Sequence, residues 1–222
     1  MSSVARVKSS KKRMRYSDPQ GFLPMTRRDC ASRGWDELDF VFVSGDAYVD
    51  HPSFGPAILC RLLVAHGYRV GIIAQPDWHS TKAFDQLGKP RLAFLVSAGN
   101  MDSLLNKFTA AKKQRHQDAY SPGGEGGHRP ERATIVYANR LRELYPDVPI
   151  IVGGIEASLR RFAHYDYWSN DVRRSLLVDS MADLLVYGMG ERALLEIAAN
   201  LHQGVPVEAI QDVAGTCFRV PS

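Results

Sequence analysis

The chain has 222 residues, which is long enough for one domain with short appendages. Its composition, 45% hydrophobic and 23% charged with a formal net charge of +4, suits a folded protein with an apolar core and excludes a strongly acidic or basic class. No apolar run approaches the roughly 20 residues that cross a bilayer, and the N-terminus carries no apolar signal region. We therefore expect a cytoplasmic protein with no membrane partner.

The first 20 residues form a serine-rich basic segment. Its charges are Lys8, Lys11, Lys12, Arg13 and Arg15. Such an arm can contact nucleic acid or an acidic membrane, but no aromatic residue alternates with the charges to stack on bases. We predict a disordered basic arm over residues 1–20 and no nucleic-acid partner.

Five short apolar runs follow in chain order, separated by stretches with helical spacing. Apolar runs without polar alternation, bounded by glycine or serine, are typical of strands buried on both faces of a parallel sheet. Apolar residues three and four positions apart between them favour helices. We predict an α/β fold, an open and mainly parallel five-stranded sheet flanked by helices in three layers, of the flavodoxin kind. The predicted strands cover residues 40–43, 68–74, 91–96, 149–152 and 182–187.

Residues 112–130 interrupt this alternation, because they are first charged and then dense in glycine. No strand precedes these glycines, so they do not make a phosphate-binding turn of the G-x-G-x-x-G type. We predict a mobile surface loop, and a substrate lid is the alternative.

Polar residues and glycines follow the predicted strands directly. In open α/β sheets, ligands bind outside the carboxyl ends of the strands, near the point where the strand order reverses. Glu191 has two interpretations. It lies at the start of a predicted helix, where its negative charge stabilises the positive helix end. Its carboxylate can also hold a ribose or amide group. We predict that one rim gathers the cofactor-binding residues Ser44, Gly45, Asp46, Ser97, Gly153, Gly154, Glu156, Gly188, Gly190 and Glu191, with Gln75 and Gly99 beside them.

Asp46, Asp50 and His51 invite comparison with a metal site, because carboxylate and imidazole groups bind divalent cations. Nothing in their spacing defines a coordination geometry. We predict that they cap a solvated loop, and we predict no metal ligands in this chain. Asp50 and His51 are kept as candidates for an interface or substrate contact.

An insertion between the fourth and fifth predicted strands alternates arginines with aromatic residues. This pattern suits phosphate or base recognition, and it suits a protein interface, where Arg, Tyr and Trp are enriched. We predict an interface with another domain. The candidate residues are Arg160, Arg161, His164, Tyr165, Asp166, Tyr167 and Trp168.

Together, several of these segments resemble one known family. They are GWD at 34–36, SGDAYVDHPSFG at 44–55, GGIEAS at 153–158, RRFAHYDYW at 160–168 and YGMGE at 187–191. The chain from about residue 21 to 218 resembles the N-terminal region of the YgiQ-like radical SAM proteins. That resemblance implies a cobalamin-binding-like domain over residues 21–203 and, over residues 204–222, the start of a linker towards a radical SAM core. The complete protein would bind a [4Fe-4S] cluster and S-adenosylmethionine on that core.

The chain departs from the complete family pattern in its thiols. Its three cysteines, Cys30, Cys60 and Cys217, are too far apart in sequence to form the CxxxCxxC cluster motif. The D-x-H-x-x-G histidine motif of cobalamin proteins is also absent, which leaves a corrinoid bound without that histidine as an alternative. We therefore expect an accessory domain that is inactive alone, truncated before the cluster motif, with the radical SAM core as its partner. A stand-alone nucleotide- or corrinoid-binding module and a bare fragment with an exposed docking face are the competing hypotheses.

Overall fold

A computed structural model describes residues 21–220, so the predicted basic arm lies outside the described residues. The described chain alternates strands and helices as the apolar pattern predicts. The strands are β1 Phe40–Ser44, β2 Val70–Ala74, β3 Ala93–Ser97, β4 Ile150–Gly153, β5 His164–Asp166, β6 Asp171–Arg173, β7 Leu184–Val186 and β8 Thr216–Phe218. The helices are α1 Arg27–Ser32, α2 Gly55–Ala65, α3 Ser103–Lys107, α4 Ala133–Leu144, α5 Gly154–Leu159, α6 Leu176–Asp179 and α7 Glu191–His202.

Six strands form one sheet in the order β2-β1-β3-β4-β7-β8. The first five in this order run parallel, and β8 pairs antiparallel with β7. The predicted open, mainly parallel sheet flanked by helices is confirmed, but the predicted number of five strands was one too few. The sixth strand lies within residues 204–222, the stretch that we assigned to the start of a linker.

Two apolar layers cover the two faces of the sheet. On one face, α2 and α7 pack against alternate strand residues such as Phe42 and Leu95. On the other face, α4 packs against the intervening residues, such as Val43 and Val96. Strands buried on both faces must be apolar at every position, which explains the unbroken apolar runs in the sequence.

The local sequence explains where α2 begins and ends. Pro56 occupies its first turn, where a missing N–H costs no hydrogen bond, and Gly67 follows it at φ +90°, a conformation that suits glycine at a helix C-terminus. The short helix α3, by contrast, starts at the side-chain cap Asp102, which accepts hydrogen bonds from the N–H groups of Leu104 and Leu105. Over residues 21–220, no helix is long and apolar enough to cross a membrane.

Two long connections lie at the carboxyl edge of the sheet. Residues 108–130 link α3 to α4, and the insertion links α5 to α6 through the antiparallel β5–β6 hairpin. The first connection differs from the predicted surface loop, because Asp118, Ser121 and Arg129 are buried.

Candidate functional site

A cleft of about 370 Å³ opens at the carboxyl ends of β1, β3, β4 and β7. Its floor is apolar, and its wall carries a few polar groups. The lining residues come from four strand ends and from the starts of α2 and α7. They include Phe42, Ser53, Gly55, Leu95, Ser97, Asn100, Ile151, Gly153, Gly154, Val186, Gly188, Gly190 and Glu191.

The sheet topology explains why a cleft forms at this position. From β1 the chain crosses by α2 to β2 on one side, whereas from β3 it crosses by α4 to β4 on the other side. The connections therefore diverge between β1 and β3 and leave a crevice above the strand ends. This is the topological switch point at which doubly wound sheets bind ligands.

Two helices begin at the wall of the cleft. The N-cap residues of α2 and α7 are Phe54 and Gly190, and neither supplies a side-chain oxygen to the first turn. The first N–H groups of a helix carry partial positive charge. The start of α2 therefore favours an electron-rich group in the cleft, whereas the Glu191 carboxylate in the first turn of α7 offsets the partial charge at that helix end.

Gly154 and Gly188 in the lining of the cleft have a positive φ, and at one of them a side chain would also clash. Gly154 has a φ of +84°, and a Cβ placed there would lie 2.4 Å from Ser97 Oγ. Gly188 has a φ of +72° with open space around it. At both positions the backbone turns away from its strand in a conformation that side chains disfavour.

Six of the ten predicted cofactor-binding residues line this cleft: Ser97, Gly153, Gly154, Gly188, Gly190 and Glu191. Among the described residues that line it, there is no histidine, cysteine, lysine or arginine. Its hydroxyl, amide and carboxylate groups can orient a ligand, but no nucleophile–base pair is present. The arrangement is that of a binding site.

The remaining four predicted residues, Ser44, Gly45, Asp46 and Glu156, are not among those that line the cleft. Glu156 is 1% exposed, and its carboxylate accepts the N–H groups of Ser103 and Thr134, at 2.8 and 3.0 Å. It therefore holds the starts of α3 and α4 in place.

Asp46 is buried and paired with Arg129, a residue that sequence reasoning missed. Arg129 Nη2 lies 2.7 Å from Asp46 Oδ1 and 3.3 Å from Asp118 Oδ2, and its Nη1 donates to the carbonyl oxygen of Ala98. Burial raises the pKa of Asp46, and the charge of Arg129 offsets this only in part. Asp46 is thus neither a solvated loop cap nor a free ligand, which corrects the prediction.

Asp118 extends this buried network towards β2. It accepts hydrogen bonds from Asn106 Nδ2 at 2.9 Å and from Ser121 Oγ at 2.9 Å, and Ser121 in turn accepts one from Gln75 Nε2 at 2.7 Å. Burial alone would raise the pKa of Asp118, but these hydrogen bonds and the charge of Arg129 hold it below its ordinary value. No sequence motif links these residues, which is why the network was not predicted.

Asp50 and His51 lie at the loop before α2. Asp50 forms an ion pair with Arg61, which lowers the pKa of its carboxyl group, and His51 is exposed with its Nδ1 accepting from the N–H of Ser53. These contacts agree with loop caps. No group of three His, Cys, Asp or Glu side chains in residues 21–220 is placed to hold a metal ion.

The three cysteines do not fit an iron–sulfur cluster. Cys60 packs on the α2 side of the sheet, whereas Cys30 and Cys217 pack on the α4 side. Burial raises the pKa of all three thiols, which keeps them protonated and unreactive at neutral pH. The cluster of a radical SAM protein has no binding site among the described residues.

The insertion forms a second, smaller hollow of about 250 Å³ at the C-terminal end of α5, whereas the cleft lies at the start of that helix. Arg161 is not part of its lining and stacks instead over the rings of Phe162 and Tyr187, at 4.9 and 5.0 Å. The other predicted residues of this group come together in the hollow, which is lined by Arg160, His164, Tyr165, Asp166, Tyr167 and Trp168 with Asp102, Leu105 and Leu159.

Comparison with solved structures finds the same fold in a radical S-adenosylmethionine methyltransferase, TsrM, from Kitasatospora setae. The TM-score is 0.54 with 18% sequence identity, over 82% of this chain and 28% of that one. A second structure of TsrM, described with cobalamin and a [4Fe-4S] cluster bound, gives a TM-score of 0.50 with 17% identity over 83% of this chain and 27% of that one. At this identity the likeness concerns the fold.

Curated relatives are much more similar in sequence. A UPF0313 protein of Geobacter sulfurreducens is 63% identical over 88% of this chain and 32% of its own length. One of Pseudomonas aeruginosa is 60% identical over 90% and 27%, and one of Bradyrhizobium diazoefficiens is 56% identical over 98% and 33%. This chain thus spans about a third of the length of these relatives. The family profile described as "Radical SAM N-terminal" matches residues 22–222, and the chain therefore belongs to the radical SAM N-terminal family.

Proposed function

We propose that this chain is the accessory domain of a radical SAM enzyme and that its cleft forms one wall of the chamber in which a downstream core acts on an organic ligand. The core would supply the [4Fe-4S] cluster and bind S-adenosylmethionine. Family membership and the greater length of the relatives support this division of roles. So does the placement of the cysteines, because the described thiols cannot converge on a cluster.

The observation that carries the proposal is the cleft at the switch point. Its apolar floor, which includes Leu95 and Ile151, excludes water from the buried part of a ligand. The start of α2 stabilises an electron-rich end of that ligand, Glu191 at the start of α7 accepts hydrogen bonds from it, and Ser97 and Asn100 offer further hydrogen bonds. These groups bind and orient, and they leave the bond-breaking steps to the core.

The second candidate is a corrinoid or a nucleotide held by this domain itself. It is favoured by the related fold of TsrM, for which a structure with cobalamin is described. No histidine is among the described residues that line the cleft, so a corrinoid would be held here without an imidazole ligand to its metal. The glycines at 153, 154, 188 and 190 let a bulky planar group approach the backbone.

The variant Ser53→Trp tests the role of the cleft. Ser53 lines the cleft mouth and is exposed, so an indole there obstructs the entrance without disturbing the core. Ser32→Trp, on the exposed surface of α1, is the matched control. In the reconstituted full-length protein, we expect a protein-free cell extract to stimulate 5′-deoxyadenosine formation in the wild type and in Ser32→Trp but not in Ser53→Trp.

Two results would contradict the proposal. If Ser53→Trp responded to the extract like its control, the cleft would have no part in ligand binding. If the 222-residue chain alone formed 5′-deoxyadenosine, the division of roles would be wrong. Equilibrium dialysis of the chain against hydroxocobalamin and ATP distinguishes the second candidate, which requires saturable binding that Ser53→Trp abolishes.

A further inference from the structure

The insertion presents exposed apolar side chains beyond the C-terminal end of α5. We define the insertion face as the side chains of Leu159, Phe162, Tyr165, Tyr167 and Val172, which are between 51 and 69% exposed. Tyr165 and Val172 lie opposite each other on the β5–β6 hairpin, and Tyr165 shares the hollow with Leu159 and Tyr167. Contiguous apolar patches of this kind on soluble proteins mark interaction sites.

The arginines of the insertion are already engaged within the domain. Arg160 forms an ion pair with Asp102, and Arg174 contacts Asp179 through two nitrogen atoms at 2.7 and 3.0 Å. Arg173 lies 3.4 Å from Asp179.

Arg161 donates to the carbonyl oxygen of Ser158 and covers two aromatic rings. A phosphate group would have to compete with all of these internal contacts. The Arg174 side chain remains 74% exposed, so these contacts weaken phosphate binding without preventing it, and the exposed aromatic side chains offer the larger recognition surface.

The insertion face is held rigidly by the segment that follows α3. Tyr167 OH donates to the carbonyl oxygen of Ala110 at 3.0 Å, and Lys112 Nζ donates to that of Trp168 at 3.3 Å. The rings of Trp168 and Phe108 pack with centroids 5.3 Å apart. A surface fixed in this way loses little conformational entropy when it docks, which is the property of a preformed interface.

The insertion is linked through Arg161 and Tyr187 to the residue that precedes the last strand of the domain. Arg161 stacks on Tyr187, and the N–H of Tyr187 donates to the carbonyl oxygen of Gly215, directly before β8. β8 then runs back along β7, so that Phe218 lies beside Leu184, and the polypeptide that follows is attached to the domain one three-residue strand away from Tyr187. A tether of this kind raises the effective concentration of an attached domain. In the relatives about two thirds of the length lies outside the matched region.

We propose that the insertion face docks the downstream core of the same polypeptide. This inference rests on the proposed function, since it presumes that a core follows the domain. It goes further by assigning the docking surface to the insertion, with Tyr165 and Val172 at its centre and the hollow beside them as the socket for a protruding side chain. A second copy of this chain is the competing occupant.

Photo-cross-linking in the full-length protein tests this assignment. p-Benzoylphenylalanine replaces Tyr165 and, as the control, Phe22, which is 75% exposed beside Tyr48 near the β2 edge. We expect cross-links from position 165 to peptides beyond residue 222 of the same chain, at a yield at least about tenfold higher than from position 22. Mass spectrometry of the monomer band identifies the linked peptides.

Two outcomes overturn the inference. Cross-links that join two copies would assign the face to self-association, and equal yields from positions 165 and 22 would show that the face is uncovered. The result is independent of the cleft test. A cross-link combined with an unimpaired Ser53→Trp variant would retain the docking surface and reject the cleft, and the opposite combination would do the reverse.

Discussion

The segments that follow the carboxyl ends of the strands differ between the two halves of the sheet edge. Beyond β1 and β3, residues 108–130 cover the sheet, and Arg129 from that segment neutralises Asp46 in the interior. Beyond β4 and β7, the turns at Gly154 and Gly188 carry no side chains, and this half of the rim stays open as the cleft, which also reaches Ser97 and Gly99 after β3. The Asp46 carboxylate is thus consumed by the fold in the covered half, whereas the glycines in the open half leave room for a ligand.

The difference between the covered and the open half shows how polar residues at strand ends should be interpreted. Asp46 and Glu156 have the position of ligand-binding residues, but distant segments supply their partners. A carboxylate buried with a complete set of hydrogen bonds stabilises the scaffold. The binding surface is found where the strand ends lack such partners.

The largest expected effect comes from removing the positive charge of Arg129, which neutralises Asp46 and Asp118 in the covered half of the rim. Arg129→Met leaves Asp46 and Asp118 buried without their counter-charge, and we expect a loss of about 3–5 kcal/mol in the free energy of unfolding. Urea denaturation followed by circular dichroism measures it. Arg192→Met, which removes an exposed pair with Glu196, is the control and should leave stability unchanged. Equal free energies of unfolding for Arg129→Met and Arg192→Met would show that Arg129 does not stabilise the covered half of the rim.

Two glycines, one packed against the buried Asp46 and one at the open turn after β7, give a smaller effect. Gly99 has a φ of +104°, and a Cβ there would lie 2.0 Å from Asp46 Oδ1, so we expect Gly99→Ala to cost about 3 kcal/mol. Gly188 has a similar backbone conformation with no atom within 4 Å, so Gly188→Ala should cost only about 1 kcal/mol. Urea midpoints of the two variants test the difference. A costlier Gly188→Ala would mean that the open half is the more tightly packed one.

Acid stability gives a third and smaller effect, at the junction of the insertion with α4. Burial alone would raise the pKa of Asp166, but hydrogen bonds from Arg132 and from the N–H of Trp168 outweigh it and lower the pKa from 3.8 to about 2. A lowered pKa contributes stability that is fully present above pH 3.8 and is lost as the pH falls towards 2. We expect Asp166→Asn to abolish this dependence, worth about 2 kcal/mol.

The measurement for this effect is the free energy of unfolding between pH 5 and 2, with the exposed Asp171→Asn as the control. The wild type and the control should lose stability in parallel over this range, whereas the Asp166→Asn curve should be flatter. A curve for Asp166→Asn that matches the other two would show that the Asp166 carboxylate does not tie the insertion to the domain.

The sequence predicts the sheet well, because a strand buried on both faces must be an unbroken apolar run, as in residues 149–152. It also predicts the glycine turns at 153–154 and 188–190, because a glycine directly after a strand allows the backbone to turn sharply, and this is visible in the local sequence. The strand Thr216–Phe218 escapes prediction, because three half-buried residues carry no periodic signal. Helix α5, with six residues, is too short for a helical period to be recognised.

The covered half of the rim was predicted poorly for a different reason. Asp46 and Arg129 are 83 residues apart, and Arg129 follows a glycine-rich segment that resembles a solvated loop. A buried ion pair depends on three-dimensional proximity, which neither residue reveals alone. In the insertion, the alternation of arginine and aromatic residues is a local signal, and six of the seven candidate residues line one hollow. The interface role stays a prediction, and the internal ion pairs are visible only in the structure.

The strand β8 has a consequence for any shortened version of the domain. It runs antiparallel along β7 and occupies the hydrogen-bonding groups that β7 would otherwise present to solvent. Ending the polypeptide before Thr216 would bare that edge and invite other copies to add a strand there. Aggregation of such a product would arise from an unsheltered margin of the sheet rather than from misfolding of its interior.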